Sequence, residues 1–308
     1  MENYRLLNGV QIPCMGTGPS AIYRIIDSRK WQFINKLPIF GNLMYRVIYR
    51  LISIPIEHKY VKLLANSIKQ GYRLIDFSCA YGDGRLIGRA IRKSGVNRKD
   101  IFIVSKASNG GQFNNEVREE FMRHLSNLGV DYIDIYMFHW PVTGHFIKTY
   151  KEIEALYKEG LIKSIGVCNC QQHHIESIIK ECEIMPMVNE FEVHPLFTQK
   201  PLVEYCHKHG MQVIAYTPLA INDYRLRNSK ILHGIAAKYK KNIQQIILRW
   251  HIQNKIIPIP FSFNNKHNQS NFEVFDFELS KEEMDIIDGL NINSRLRYDP
   301  DNCDFTIL

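Results

Sequence analysis

The sequence predicts an α/β chain: a (β/α)8 TIM barrel with an N-terminal β-hairpin and an inserted helical segment after strand 1. Three observations predict it. Eight short apolar runs alternate with helical patterns, which implies parallel β/α units. The runs are apolar on both faces, as strands covered on both sides must be. No G-x-G-x-x-G follows the first run, because Gly16-Thr17-Gly18 leads into Pro19. An open dinucleotide-binding sheet would carry that motif there.

The elements follow in order. Asn8-Gly9, flanked by apolar residues from Leu6 to Ile12, is a strong short hairpin signal. Strands are expected at 14–17, 72–76, 101–105, 133–138, 164–167, 187–190, 212–216 and 256–259. Helical patterns lie near 59–70, 84–93, 115–127, 149–159, 171–181, 199–209 and 230–253. Ser280-Lys-Glu-Glu283 reads as a capping box that opens a terminal helix. In the insert at about 21–56, Pro38 suits a first helical position and Pro55 a stop. Phe40, Leu43, Met44, Val47, Ile48 and Leu51 fall between them at i, i+3, i+4, i+7, i+8 and i+11. That spacing makes an amphipathic stripe.

Composition bounds the function. With 308 residues, 45% hydrophobic and 23% charged, the chain can fill a sizeable core. No linker or repeat divides it, so residues 1–308 are read as one barrel domain. The start lacks the basic and apolar regions of a signal peptide. Seven scattered cysteines without a C-x-x-C pair fit a reduced, cytoplasmic setting better than a disulfide framework. Net charge is +8, but residues 21–56 hold six basic side chains against one acidic, leaving +3 for the remainder. A general nucleic-acid surface is therefore not expected. No metal site is expected either. Cys206-His207-Lys208-His209 has no second ligand pair, and His173-His174 reads as an exposed helix start.

A barrel of this kind performs chemistry at the C-terminal ends of its strands. Four polar residues fall there or in the following loop, after strands two to four: Asp76, Tyr81, Lys106 and His139. Longer motifs then become specific. Gly71-Tyr-Arg-Leu-Ile-Asp-Phe-Ser-Cys-Ala-Tyr-Gly82 resembles the second-strand signature of the aldo-keto reductases. Leu128–Pro141 resembles the fourth, Gly160–Asn169 the fifth, Ala215–Leu219 the seventh, and Phe275–Glu283 a late helix of that family. The likeness covers residues 5–20 and 58–308 and is nearest to the short-tailed bacterial members.

The resemblance implies reduction of an aldehyde or ketone by hydride from a nicotinamide cofactor, with a small carbonyl compound as substrate. It implies a tetrad in which Tyr81 is the general acid. Lys106 lowers the phenol's pKa, Asp76 holds Lys106, and His139 orients the carbonyl. It also places Cys168, Asn169, Glu190 and Tyr216 at the nicotinamide, and Ser262, His267 and Asn271 at the adenosine end. Ser20, Phe77, Trp140 and Tyr224 are implied as substrate pocket. The sequence departs from the family pattern in four places. Cys168 and Glu190 stand where Ser and Gln are usual. Glu190 can accept a hydrogen bond from a carboxamide but cannot donate one, and its charge would suit a nicotinamide cation. Phe261 and His267 stand where the family has Lys and Arg for a 2′-phosphate, with Lys266 the near substitute. NADP(H) is implied by the resemblance, while NAD(H) or dual use follows from the lost cations. A redox-sensing or regulatory protein on the same barrel is the alternative reading.

The insert follows strand one and so belongs to the active-site face. Its 38–54 helix has three readings: a lid packed on the barrel mouth, an interfacial helix on anionic lipid, or a homodimer contact. The lid is the reading favoured here.

Overall fold

The computed structural model describes residues 2–18, 41–78 and 84–307, with side chains from residue 54 onward in the second stretch. The stripe from Phe40 to Leu51 and its three readings therefore lie outside the described side chains, as do Ser20 and Tyr81.

The chain opens with an antiparallel hairpin, β1 (Asn3–Arg5) and β2 (Gln11–Pro13), turned at Gly9 with φ +88°. A positive φ of that kind is what glycine supplies in such a turn. Eight parallel strands follow: β3 (Gly16–Thr17), β4 (Leu74–Asp76), β5 (Phe102–Ala107), β6 (Ile133–Phe138), β7 (Ile162–Cys168), β8 (Val188–Glu192), β9 (Gln212–Tyr216) and β10 (Ile256–Pro258). Each pairs in register with the next. The ring is drawn together where the Thr17 hydroxyl donates to the Pro260 carbonyl, 3.1 Å away. Gly16 leaves room between the Leu74 and Ile259 side chains, where a Cβ would crowd both.

Strand alternation sorts the side chains. Leu74, Phe102, Val104, Ile135, Met137, Val188 and Ile214 point inward and pack with Leu6 and Ile12 of the hairpin, which plugs the barrel floor. Ile75, Phe77, Ile103, Phe138, Val167 and Val213 point outward, against helix residues such as Leu64, Ile87, Phe121, Ile153 and Ile246. Burying each such side chain contributes roughly 1.5–3 kcal/mol. Two residues beyond the last inward apolar side chain of a strand, the next inward position lies at the mouth.

Two helical expectations are corrected. Pro55 does not stop the insert helix: one helix runs from Gly41 to Gln70 with Pro55 inside it. An internal proline costs about 3 kcal/mol through its lost N–H bond and its clash with the preceding turn. The following turns offset this by burying Tyr60, Val61, Leu64, Ala65 and Ile68. The pattern at 230–253 is two helices, Lys230–Tyr239 and Ile243–Gln253, broken at left-handed Lys240 with φ +54°. The second starts on an Asn242–Gln245 capping box, while the expected box at Ser280 and Glu283 opens the helix Lys281–Asp288. No helix of the described residues is long and apolar enough to cross a membrane.

Candidate active site

The same alternation brings the strand-end polar residues to one mouth. Asp76 ends β4, Lys106 lies one residue before the end of β5, and His139 follows β6. Cys168 ends β7, Glu190 lies in β8, and Tyr216 ends β9. Lys106 is 0% exposed and forms an ion pair with Asp76, itself 1% exposed. The Lys106 Nζ also lies 3.1 Å from Glu190 Oε1, and Glu190 is 0% exposed. A buried ammonium persists only with such partners.

His139 follows directly. Its backbone N–H donates to the Ala107 carbonyl at 2.9 Å, fixing it beside the end of β5. Burial pushes its pKa down to about 3, the Lys106 charge adds to that, and Glu120 opposes it. The imidazole is therefore neutral at neutral pH and able to hydrogen-bond a carbonyl without carrying charge. The Cys168 thiol is held well above its ordinary pKa, first by burial and then by the Glu190 charge. It is a packing group, not a thiolate nucleophile.

Asn169 ties three strands together. Its amide donates to the His139 carbonyl at 2.9 Å, and its side-chain oxygen accepts from the Tyr216 hydroxyl at 2.6 Å. Its φ of +60° is one that asparagine tolerates better than most residues. Glu190 Oε1 is engaged by the Lys106 ammonium, whereas Oε2 is buried with no donor among the described residues. A buried acceptor there fits a carboxamide NH₂, the donor that a nicotinamide carries.

The expected adenosine end lies after β10. Asn268 clamps Ser262, taking its backbone N–H and donating back to its carbonyl, both at 2.8 Å. Ser262 Oγ and His267 Nδ1 are 3.4 Å apart. His267 and Lys266 are exposed, whereas Asn271 is buried. Phe261, which stands where the family pattern has a lysine, packs its ring 5.9 Å from Tyr60 and 5.3 Å from Phe263.

The pocket residues divide. Trp140 is buried at the mouth, its carbonyl accepting from Gln112 at 3.0 Å. Phe77 is not brought there. It succeeds inward Asp76 and so points out, edge-on to His124 at 5.6 Å. Tyr224 opens the short helix Tyr224–Arg227 and is 66% exposed.

Sequence reasoning missed the C-terminal tail. Tyr298 and Phe305 each lie 6.4 Å from the Trp140 ring, and Asn109 donates to the Phe305 carbonyl at 3.1 Å. The tail is anchored by buried Glu192, which accepts from the backbone N–H groups of Leu296 at 2.8 Å and Arg297 at 3.0 Å. Glu192 lies two residues beyond Glu190 on the same strand face, which was the available signal. Glu192→Ala orphans those donors. It should cost about 1–3 kcal/mol in a denaturant titration and raise substrate KM more than cofactor Kd. An unchanged midpoint and KM would contradict the anchoring role.

His173 and His174 also meet this tail, with Asp301 Oδ1 3.2 Å and 3.7 Å from their Nε2 atoms. His174 is buried rather than exposed, because it completes the capping box of the helix Gln172–Glu181. The three residues group like metal ligands. However, His174 Nδ1 accepts from the Gln171 N–H at 3.1 Å. That places the proton of a neutral imidazole on Nε2, where a metal would have to bind. The arrangement is a clasp on the tail.

An eight-stranded parallel barrel with a buried lysine–carboxylate cluster at the C-terminal end of its strands has the form of a barrel enzyme. The comparisons narrow it. The model of the aldo/keto reductase family matches residues 57–292. A glyoxal reductase of Bacillus subtilis is 42% identical over 235 residues, 76% of this chain and 84% of that one. The oxidoreductase YtbE of the same organism is 43% identical over 249 residues, 80% and 88% of the two chains. A Bombyx mori aldo-keto reductase solved in complex with NADP has a TM-score of 0.81 at 28% identity, over 97% of this chain and 95% of that one. The chain belongs to the aldo/keto reductase family and is an oxidoreductase.

Proposed function

We propose that the chain reduces an aldehyde or ketone to an alcohol through the Asp76, Tyr81, Lys106 and His139 constellation, with small glyoxal-like carbonyls the first substrates to test. The observation that carries the reading is the fully buried Lys106, paired with Asp76 beside a neutral His139 at the barrel mouth. A nicotinamide cofactor bound there would supply hydride to the carbonyl carbon. Negative charge then develops on the carbonyl oxygen and needs a proton donor. Tyr81 donates that proton. Lys106 favours the phenolate that remains, and Asp76 keeps the ammonium in place. His139, uncharged, orients the carbonyl. Glu190 would accept from the cofactor's carboxamide, Tyr216 would stack on its ring, and Asn169, bonded to Tyr216 and to the His139 carbonyl, would fix the strand ends around it. Ser262, His267 and Asn271 would hold the adenosine portion, and Trp140 would form a pocket wall.

NADP(H) follows family habit, but a dianionic 2′-phosphate favours Arg or Lys hydrogen bonds, and position 261 holds an aromatic ring packed on Tyr60. The wild-type chain is thus expected to use both cofactors with similar affinity. Phe261→Lys should tighten NADPH by about 1–3 kcal/mol and leave NADH unchanged, read by fluorescence titration. Wild-type NADPH binding more than about a hundredfold tighter than NADH, some 2.8 kcal/mol, would contradict this and point to Lys266.

A steady-state assay with NADPH and NADH against a panel of aldehydes, ketones and dicarbonyls tests the function. Turnover on at least one carbonyl is expected. Binding of cofactor with no turnover across the panel would favour the regulatory reading instead.

A further inference from the structure

We propose, on the reading that this site takes a nicotinamide cofactor, that Glu190 is a positioning residue whose charge makes the site favour the oxidised, cationic ring over the reduced, neutral one, increasingly as pH rises. The geometry that carries it is two carboxylates sharing one ammonium. Register sets Glu190 of β8 opposite Cys168 of β7 and Ile214 of β9. Its Oε1 lies 3.1 Å from Lys106 Nζ, which is already paired with Asp76. All three side chains are almost wholly removed from solvent. Lys106 therefore cannot neutralise the cluster alone.

The groups facing Glu190 can be named strand by strand. Asp76 comes from β4, Lys106 from β5 and Cys168 from β7. His139, at the end of β6, lies on the other side of the Lys106 charge and is neutral. The Cys168 thiol is neutral as well, its pKa being held well above the ordinary range. The cluster then has two states. With a proton on Glu190 its charges sum to zero; without the proton they sum to −1. Burial raises the proton affinity of Glu190, the Asp76 charge raises it further, and Lys106 opposes both. That places the exchange between the two states above the ordinary range of a glutamate.

A neutral ring favours neither state by charge. A cationic ring favours the −1 state. By reciprocity, oxidised cofactor drives the proton off Glu190, and loss of the proton tightens oxidised cofactor by the same factor. Glutamine at this position would supply the same acceptor oxygen without the charge.

The test is the ratio of two dissociation constants on the full chain. NADP⁺ and NADPH are titrated by tryptophan fluorescence between about pH 6 and pH 9, for the chain with Glu190 and for Glu190→Gln. Titration of the phosphates or of His267 affects both redox forms alike and cancels in the ratio, and both chains carry Tyr81→Phe so that the phenol placed beside Lys106 by the proposed function does not titrate. With Glu190 present, Kd(NADPH)/Kd(NADP⁺) should rise by at least about tenfold across that range, the scale of one partly screened charge pair. For Glu190→Gln it should stay flat. Calorimetry of NADP⁺ binding in two buffers of different ionisation heat reads proton release from the chain with Glu190 directly, so the test does not depend on Glu190→Gln folding. Binding of both forms with a pH-independent ratio and no proton release would overturn the inference and leave the carbonyl-reductase reading standing. Failure of either form to bind at any pH would overturn both.

Discussion

Tyr81→Phe is expected to lower carbonyl reduction by at least ~10²-fold while leaving cofactor affinity nearly unchanged, the usual scale of a lost general acid. The substitution keeps the ring and removes only the O–H. An unperturbed tyrosine, with a pKa near ~10, is a poor acid at neutral pH and needs a cation beside it. Lys106 is the cation available, and it reaches the mouth charged because Asp76 pairs with it inside the barrel. The proposed cofactor residues, on β7 to β9 and after β10, are untouched by the change. Single-turnover reduction and a binding titration on the same preparation check the two halves. Wild-type turnover in the variant would remove Tyr81 from the proposed role.

Lys106→Met should be the most damaging single change to the fold near the site. Methionine matches the length of lysine but leaves Asp76 and Glu190, 1% and 0% exposed, facing one another without a cation. Removing one partner of a buried ion pair costs about 3–5 kcal/mol, because the remaining charge is uncompensated. The pH dependence has a definite sign. Glu190 is already held above the ordinary carboxylate range, by burial and then by Asp76, against the pull of Lys106. Removing Lys106 raises it further. A carboxyl whose folded pKa is raised stabilises the fold while it is protonated, and that contribution is lost as pH rises through the folded value. The deficit of Lys106→Met should therefore be larger at neutral pH than in mild acid. Adding Glu190→Gln should recover part of it. Urea unfolding of the single and double variants at two pH values measures this. A deficit that does not change with pH or with the second substitution would show that the two carboxylates are not competing for Lys106.

Much of the barrel was legible because its strands are short, apolar and evenly interleaved with helices. The hairpin turn at Asn8-Gly9 and the Ser280–Glu283 cap were legible because they are local chemistry. What escaped was decided at longer range. Pro55 is a sound stop signal locally, but the burial of Tyr60, Leu64 and Ile68 carries the helix through it. Lys240 is an ordinary helix residue until it adopts the left-handed cap between two helices. The Asn242–Gln245 box that follows was a readable sign of that break.

The site shows the same division. Asp76, Lys106 and His139 could be placed because each ends an apolar run, and the alternation that turns them inward follows from the strand itself. Phe77 was misplaced by one residue's worth of that alternation, since its neighbour Asp76 takes the inward position. The tail could not be read, because residues 291–307 have no period. Tyr298, Phe305 and Asp301 reach the mouth through partners more than a hundred residues away in sequence, on Trp140, Asn109 and the His173–His174 pair. Glu190 was visible as a departure from a pattern, but its sharing of Lys106 with Asp76 is set by the barrel's closure and not by any local motif.

The most direct test of the account is label transfer. The chain is incubated with NADPH or NADH deuterated at the transferring position of the nicotinamide and a small dicarbonyl, and the alcohol product is analysed by mass spectrometry. One deuterium on the new carbinol carbon is predicted with the wild-type chain, with product formation lowered at least ~10²-fold in Tyr81→Phe. An alcohol product without deuterium, or the same yield from both chains, would contradict the assignment of this barrel mouth as a carbonyl-reducing site.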